Sequence, residues 1–169
     1  MKRRSFLKAG GALIVSLGAG DGLALSDEAL GRGKVGAIAL TALGIGINEV
    51  NGIFHTHGHD DHLAGLTTLI RSDRRIAYYA VPMVRSSVFK KLSAAMRIPE
   101  GEFAQMFDVH DLALDQWNDI GGMEVKPLLS PHPVETTVFH FRVLWEGGYR
   151  TYAHLADIVS LDVLRRMVA

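Results

Sequence analysis

No cysteine occurs among the 169 residues. Disulfides and thiolate metal sites are therefore excluded. Any metal must be held by nitrogen and oxygen, which leaves zinc, iron or manganese as candidates. An excess of either charge is lacking too, since 18 Lys and Arg stand against 18 Asp and Glu. No basic block or stripe marks a nucleic-acid surface, so electrostatics names no polymeric partner. Long apolar runs are also missing. A membrane span needs about 20 apolar residues, and the uncharged stretch after Lys8 already ends at Asp21. What the chain does have is 48% apolar residues, enough for one domain with a sizeable core.

The first 26 residues, "MKRRSFLKAGGALIVSLGAGDGLALS", read as an export segment rather than fold material. They combine a charged start, a Gly-rich apolar centre and the small-residue exit "ALS" (Ala24–Ser26). The run from Arg3 to Lys8 resembles the twin-arginine signal, departing in Lys2 where Ser or Thr is usual. That resemblance implies a periplasmic or otherwise exported protein, with the cytoplasm as the alternative. Removing residues 1–26 takes away four basic and one acidic residue, leaving 14 against 17 and a mildly acidic mature part.

Beyond it, residues 27–50 are Ala/Leu-rich and predict a helix from about Val35, with glycines weakening its ends. Asn51-Gly52 marks a turn, and "GIFH" reads as a short buried strand. Leu63, Leu66, Leu69 and Ile70 have the spacing of one helical face. A strand is expected over Arg75–Val81. Pro82 then opens a helix bearing Val84, Val88, Leu92 and Met96, and "EGEFAQMF" predicts a further helical piece. The second half turns β-rich, with strands over Met123–Ser130, Thr136–Glu146 and Tyr149–Leu155. A closing helix has Ser160 as its N-cap. The expected fold class is layered α/β (α+β).

Four of the eight histidines lie in "HTHGHDDH", residues 55–62, directly after the expected strand. Two histidines one residue apart at a strand end can converge on one ion, and an adjacent Asp-His pair can supply a second site beside it. Only the register starting at His57 fits: His57, His59, Asp61, His62.

At these residues the chain resembles the metallo-β-lactamase superfamily, whose signature T-H-x-H-x-D-H-x-x-G stands complete as Thr56, His57, His59, Asp61, His62 and Gly65. The resemblance implies a third histidine in a turn after a strand, matched by His132 in "LLSPHPVETTVFHF". It also implies a bridging carboxylate ending a later strand, matched by Asp157 in "YRTYAHLADI". His57, His59 and His132 would bind a first metal, Asp61 and His62 a second, with Asp157 between them. The implied cofactor is one or two Zn2+ ions, with Fe or Mn as substitutes. The implied activity is hydrolysis of a phosphodiester or related ester in a small-molecule substrate. The downstream segments look closest to the phosphodiesterase and RNase Z-like branches. Asp61 is also the candidate for orienting the attacking water, and His154 the candidate proton donor or substitute ligand.

The other polar residues read more plainly. His55 is expected to be packed, or to orient a ligand from behind. Asp60 is expected in solvent, His110 in a loop, and His140 on a strand face with Thr136, Val138 and Arg142. Trp117 and Trp145 read as apolar fillers, and Arg71–Arg75 as the solvated end of a helix. Against the family pattern the chain reads as a shortened form, a partial αβ/βα sandwich over residues 27–169. Few residues precede "GIFH", and no histidine follows Asp157. The shortening implies an exposed sheet edge open to self-association and a weak second metal site. Two alternatives follow: an inert metal-binding remnant, or a di-iron oxygen or nitric-oxide reductase. The reductase would need a carboxylate where His59 stands.

Overall fold

The computed structural model describes residues 47–168 apart from 64, 156 and 159, with the backbone alone at 61, 167 and 168. The export segment and the helix expected from Val35 lie outside the described residues. Two sheets face each other. The first is parallel, in the order β1 (Gly52–Phe54), β2 (Ile76–Ala80), β3 (Phe107–Asp111). Parallel neighbours need crossovers, and helices provide them. Short turns α1 (Asp60–Leu63) and α2 (Leu66–Leu69) lead from β1 to β2, and α3 (Pro82–Met96) with α4 (Glu100–Ala104) leads from β2 to β3.

Local chemistry sets these boundaries. Pro82 begins α3 after Val81 in extended conformation, where its missing N–H costs nothing. Val84, Val88 and Leu92 recur every fourth residue and form the buried stripe, with Phe89 beside them. Arg97 ends the helix in the left-handed region (φ 56°), and the Ile98 N–H closes onto the Ser93 carbonyl.

The second sheet is an antiparallel meander: β4 (Asn118–Ile120), β5 (Met123–Ser130), β6 (Thr136–Trp145), β7 (Gly148–His154). Two of its connections are two-residue turns with positive φ throughout, Gly121-Gly122 and Glu146-Gly147. Such turns match the natural strand twist. The third, between β5 and β6, spans residues 131–135 and holds His132. Helix α5 (Asp162–Val168) follows, with Ser160 Oγ accepting the Asp162 N–H, and its Val163 packs with Leu128 and Val138.

Phe54 joins the layers. Its ring stacks on Tyr79 at 4.8 Å and meets Phe139 and Phe141 edge-on at 5.8 and 5.0 Å. Such pairs contribute about 0.5–1.5 kcal/mol each beyond the area they bury. At the end of β1 the Thr56 carbonyl accepts both the N–H (2.8 Å) and the hydroxyl (3.2 Å) of Thr137 on β6. The histidine loop is thus fastened to the opposite sheet.

Several sequence expectations need correction. His110 is not in a loop but on β3, stacked on Tyr79 at 5.0 Å, because Phe107 and Val109 complete the pairing with β2. For the same reason "EGEFAQMF" stays helical only to Ala104. The helix expected through Leu63 and Ile70 is two short turns meeting near Gly65. Arg74 is more than a solvated helix end. Its guanidinium donates to the Val50 carbonyl (2.9 Å) and to Asn51 Oδ1 (2.8 Å), closing the β1–β2 crossover. Trp117 does not serve as a core filler; it lies half-buried between His140 (5.1 Å) and the Arg142 guanidinium (3.8 Å). Trp145 is exposed, beneath Arg150. Among the described residues, no helix is long and apolar enough to cross a membrane.

Candidate metal centre

The loop after β1 is short and polar, yet buried from His55 to Gly58. Buried backbone must find partners, and here it does so in three directions. The Thr56 carbonyl is held by Thr137, the His57 carbonyl by His55 Nε2 (2.9 Å), and the Gly58 carbonyl by Lys91 Nζ on α3 (3.0 Å). Lys91 also pairs with the exposed Asp60 (2.6 Å).

This frame aims four donor atoms at one point. His59 Nδ1 lies 3.1 Å from His57 Nε2 and 3.0 Å from His132 Nε2, although His132 is 73 residues away in the chain. Asp157 Oδ2 lies 3.2 Å from His57 Nε2 and 3.8 Å from His132 Nε2. All four atoms fall within 4.8 Å of one another. Asp157 is held at φ 47°, a left-handed conformation that Asp tolerates better than most residues. It turns the carboxylate back toward the histidines just after β7. His62, on α1, approaches the same oxygen at 3.3 Å.

These donors fit a cation. One nitrogen, His59 Nδ1, has a single in-plane lone pair or a single N–H, and cannot satisfy two other ring nitrogens at 3.0–3.1 Å by hydrogen bonding alone. An ion between them satisfies all of them. For tetrahedral bonds of about 2.0–2.1 Å, donor atoms sit roughly 3.3–3.4 Å apart, and the observed separations straddle that value. Protonation is also right for coordination. Burial, assisted by the neighbouring His62, pushes the His57 imidazole down to about 4, so it is neutral with a free lone pair. Its Nδ1 is engaged by Thr56 Oγ1 (3.0 Å), which leaves Nε2 for the centre.

The structure therefore brings together His57, His59, His132 and Asp157, with His62 adjoining. Asp61 lies on α1 next to His62, and its side chain is outside the described residues. His154 ends β7 half-buried. Burial, with His62 nearby, lowers its pKa, and it is not one of the four converging donors. His140 is on the outer face of the second sheet, against Trp117. Sequence reasoning missed Thr137 and Lys91. Thr137 lies in a plain strand run, and Lys91 is one of two adjacent lysines, so neither gives a local signal.

A parallel βαβ layer against an antiparallel meander, with an imidazole–carboxylate cluster at their junction, defines a mixed α/β sandwich built around a candidate metal centre. Residues 38–167 match the beta-lactamase superfamily domain, and the chain belongs to that superfamily. Among solved structures it resembles the metallo-beta-lactamase fold protein YhfI from Bacillus subtilis, at 17% identity and a TM-score of 0.54, covering 73% of this chain and 46% of that one. Unliganded yeast PDE1 is similar at 17% identity and a TM-score of 0.51, covering 63% of this chain and 34% of that one. At this identity the likeness is one of fold. The chain spans between a third and a half of the length of these two proteins. Comparison with curated proteins finds no match.

Proposed function

We propose that the protein is a metal-dependent hydrolase acting on a phosphodiester or related ester of a small molecule. The observation that supports it is the convergence of three ring nitrogens and one carboxylate oxygen within 4.8 Å. His57, His59 and His132 would hold one zinc-class cation, with Asp157 turned toward both this cluster and His62. Asp61 and His62 are the candidates for a second ion. Bound there, such a cation supplies Lewis acidity and lowers the pKa of water from 15.7 to about 7. The protein groups do the rest. Asp157 and Asp61 accept hydrogen bonds from the attacking water and fix its direction. His154, kept neutral by burial, takes up a proton and returns it to the leaving oxygen. Yeast PDE1 and YhfI lend the fold to this reading, and the superfamily's members are generally hydrolases.

A second reading is a metal-binding protein without turnover. Among the described side chains, His62 meets the carboxylate of Asp157 at 3.3 Å, and the cluster of converging donors does not include it. The test is metal analysis of the purified chain together with a panel of bis-aryl phosphodiester, thioester, lactam and sulfate-ester substrates. Near-stoichiometric zinc with phosphodiester cleavage, both lost in His57→Ala, is the expected result. Zinc without cleavage of any panel member would favour the second reading, and metal-free protein after zinc loading would overturn both.

A further inference from the structure

We propose that His55 is a positioning residue for the metal centre, fixing the main chain of His57 so that its ring nitrogen points at the common cation position. The inference rests on the metal-site reading above and adds a residue to it. His55 is 4% exposed, and its Nε2 lies 2.9 Å from the His57 carbonyl oxygen. A carbonyl only accepts, so the ring hydrogen sits on Nε2 and Nδ1 bears the lone pair. Nδ1 is buried with no partner among the described residues. An apolar side chain would fill this space beside the Tyr78 ring (5.6 Å) without burying an unpaired nitrogen. The histidine therefore costs the fold stability that its shape alone does not require, and the hydrogen bond it donates is what distinguishes it from a filler.

The neighbouring anchors show what that bond accomplishes. Three successive carbonyls, at Thr56, His57 and Gly58, are gripped by β6, by His55 and by α3 respectively. Without the middle grip, the peptide plane between His57 and Gly58 is free to rotate between the outer two. The imidazoles of His57 and His59 would then leave the 3.1 Å approach that makes them a pair. Partners behind a ligand of this kind typically alter metal affinity by about 10–100-fold.

The full-length chain, stripped of metal, is titrated with zinc against a chromophoric chelator, and its cobalt(II) absorption is recorded. Thermal unfolding of the metal-free form monitors the fold. His55→Phe keeps a buried ring and removes the donor, and His55→Asn has an amide too short to reach the carbonyl. His55→Gln places an amide N–H near the native Nε2. The proposal expects Phe and Asn variants to bind zinc at least tenfold more weakly, with an altered cobalt spectrum, and the Gln variant to stay within about threefold of the wild type. Should the Phe variant fail to fold, the Asn and Gln pair decides. Wild-type zinc affinity in the Phe or Asn variant, or equal losses in Asn and Gln, overturns the proposal while leaving the metal site intact. Absence of zinc binding by the wild type overturns the site itself.

Discussion

His132→Ala tests the metal centre where the tertiary structure contributes most. The imidazole comes from the β5–β6 loop, 73 residues beyond His59, and its Nε2 lies 3.0 Å from His59 Nδ1. It is half-buried on a five-residue loop rather than in the core, so truncation should lower folding stability by no more than about 1 kcal/mol. The metal should feel it far more. Four-ligand structural zinc sites have apparent binding free energies of about 10–16 kcal/mol. Losing one donor of four removes about 2.5–4 kcal/mol, a weakening of roughly 10²- to 10³-fold. Competition between the metal-free protein and a zinc chelator measures this directly. Thermal unfolding gives a second reading, because zinc at 100 times its Kd stabilises the native state by about 2.7 kcal/mol. At that same zinc concentration the variant should show almost none of this gain. Zinc affinity in His132→Ala within threefold of the wild type would refute the geometric assignment, since the third nitrogen would then be a bystander.

Other outcomes follow from the same structure. Phe54→Ala, which empties the joint between the two sheets, should cost about 3–5 kcal/mol in urea unfolding; a loss under 1 kcal/mol would mean the sheets are held together elsewhere. In Gly52→Ala the new Cβ meets the Tyr79 ring at 2.9 Å, and that ring is confined between Phe54 and His110, so a loss of about 1–3 kcal/mol is expected. The metal-free protein should weaken on acidification. His55 and His57 are pushed down by burial to about 3 and about 4 from 6.5, so below pH 6.5 the unfolded chain binds protons that the native one refuses. Stability is therefore full above pH 6.5 and falls, by up to about 1.4 kcal/mol per pH unit for each group, as pH drops toward 4; equal urea midpoints at pH 7.5 and pH 5 would contradict it.

Much of this architecture was legible in the chain before any coordinates. Helix α3 announced itself through Pro82 and the four-residue spacing of Val84, Val88 and Leu92. The strands β5 to β7 were marked by their residue types and by the punctuation between them, "SPHP" before β6 and "GG" before β7. His57, His59 and Asp61 stood out because strand-end metal chemistry needs donors at alternate positions. His110 was misplaced because its strand is defined by pairing with β2 rather than by its own pattern. Trp117 was misjudged because a cation above its ring is invisible in one dimension.

Residue order alone determined the donor types, the histidine register and the exclusion of thiolate ligands, since these depend on side-chain identity and near-neighbour spacing. The meeting of His132 and Asp157 with the loop was decided by the packing of two sheets, as were the grip of Thr137 on Thr56 and that of Lys91 on Gly58. Those contacts join residues dozens of positions apart, and local spacing holds no information about distances that only burial of a shared core imposes.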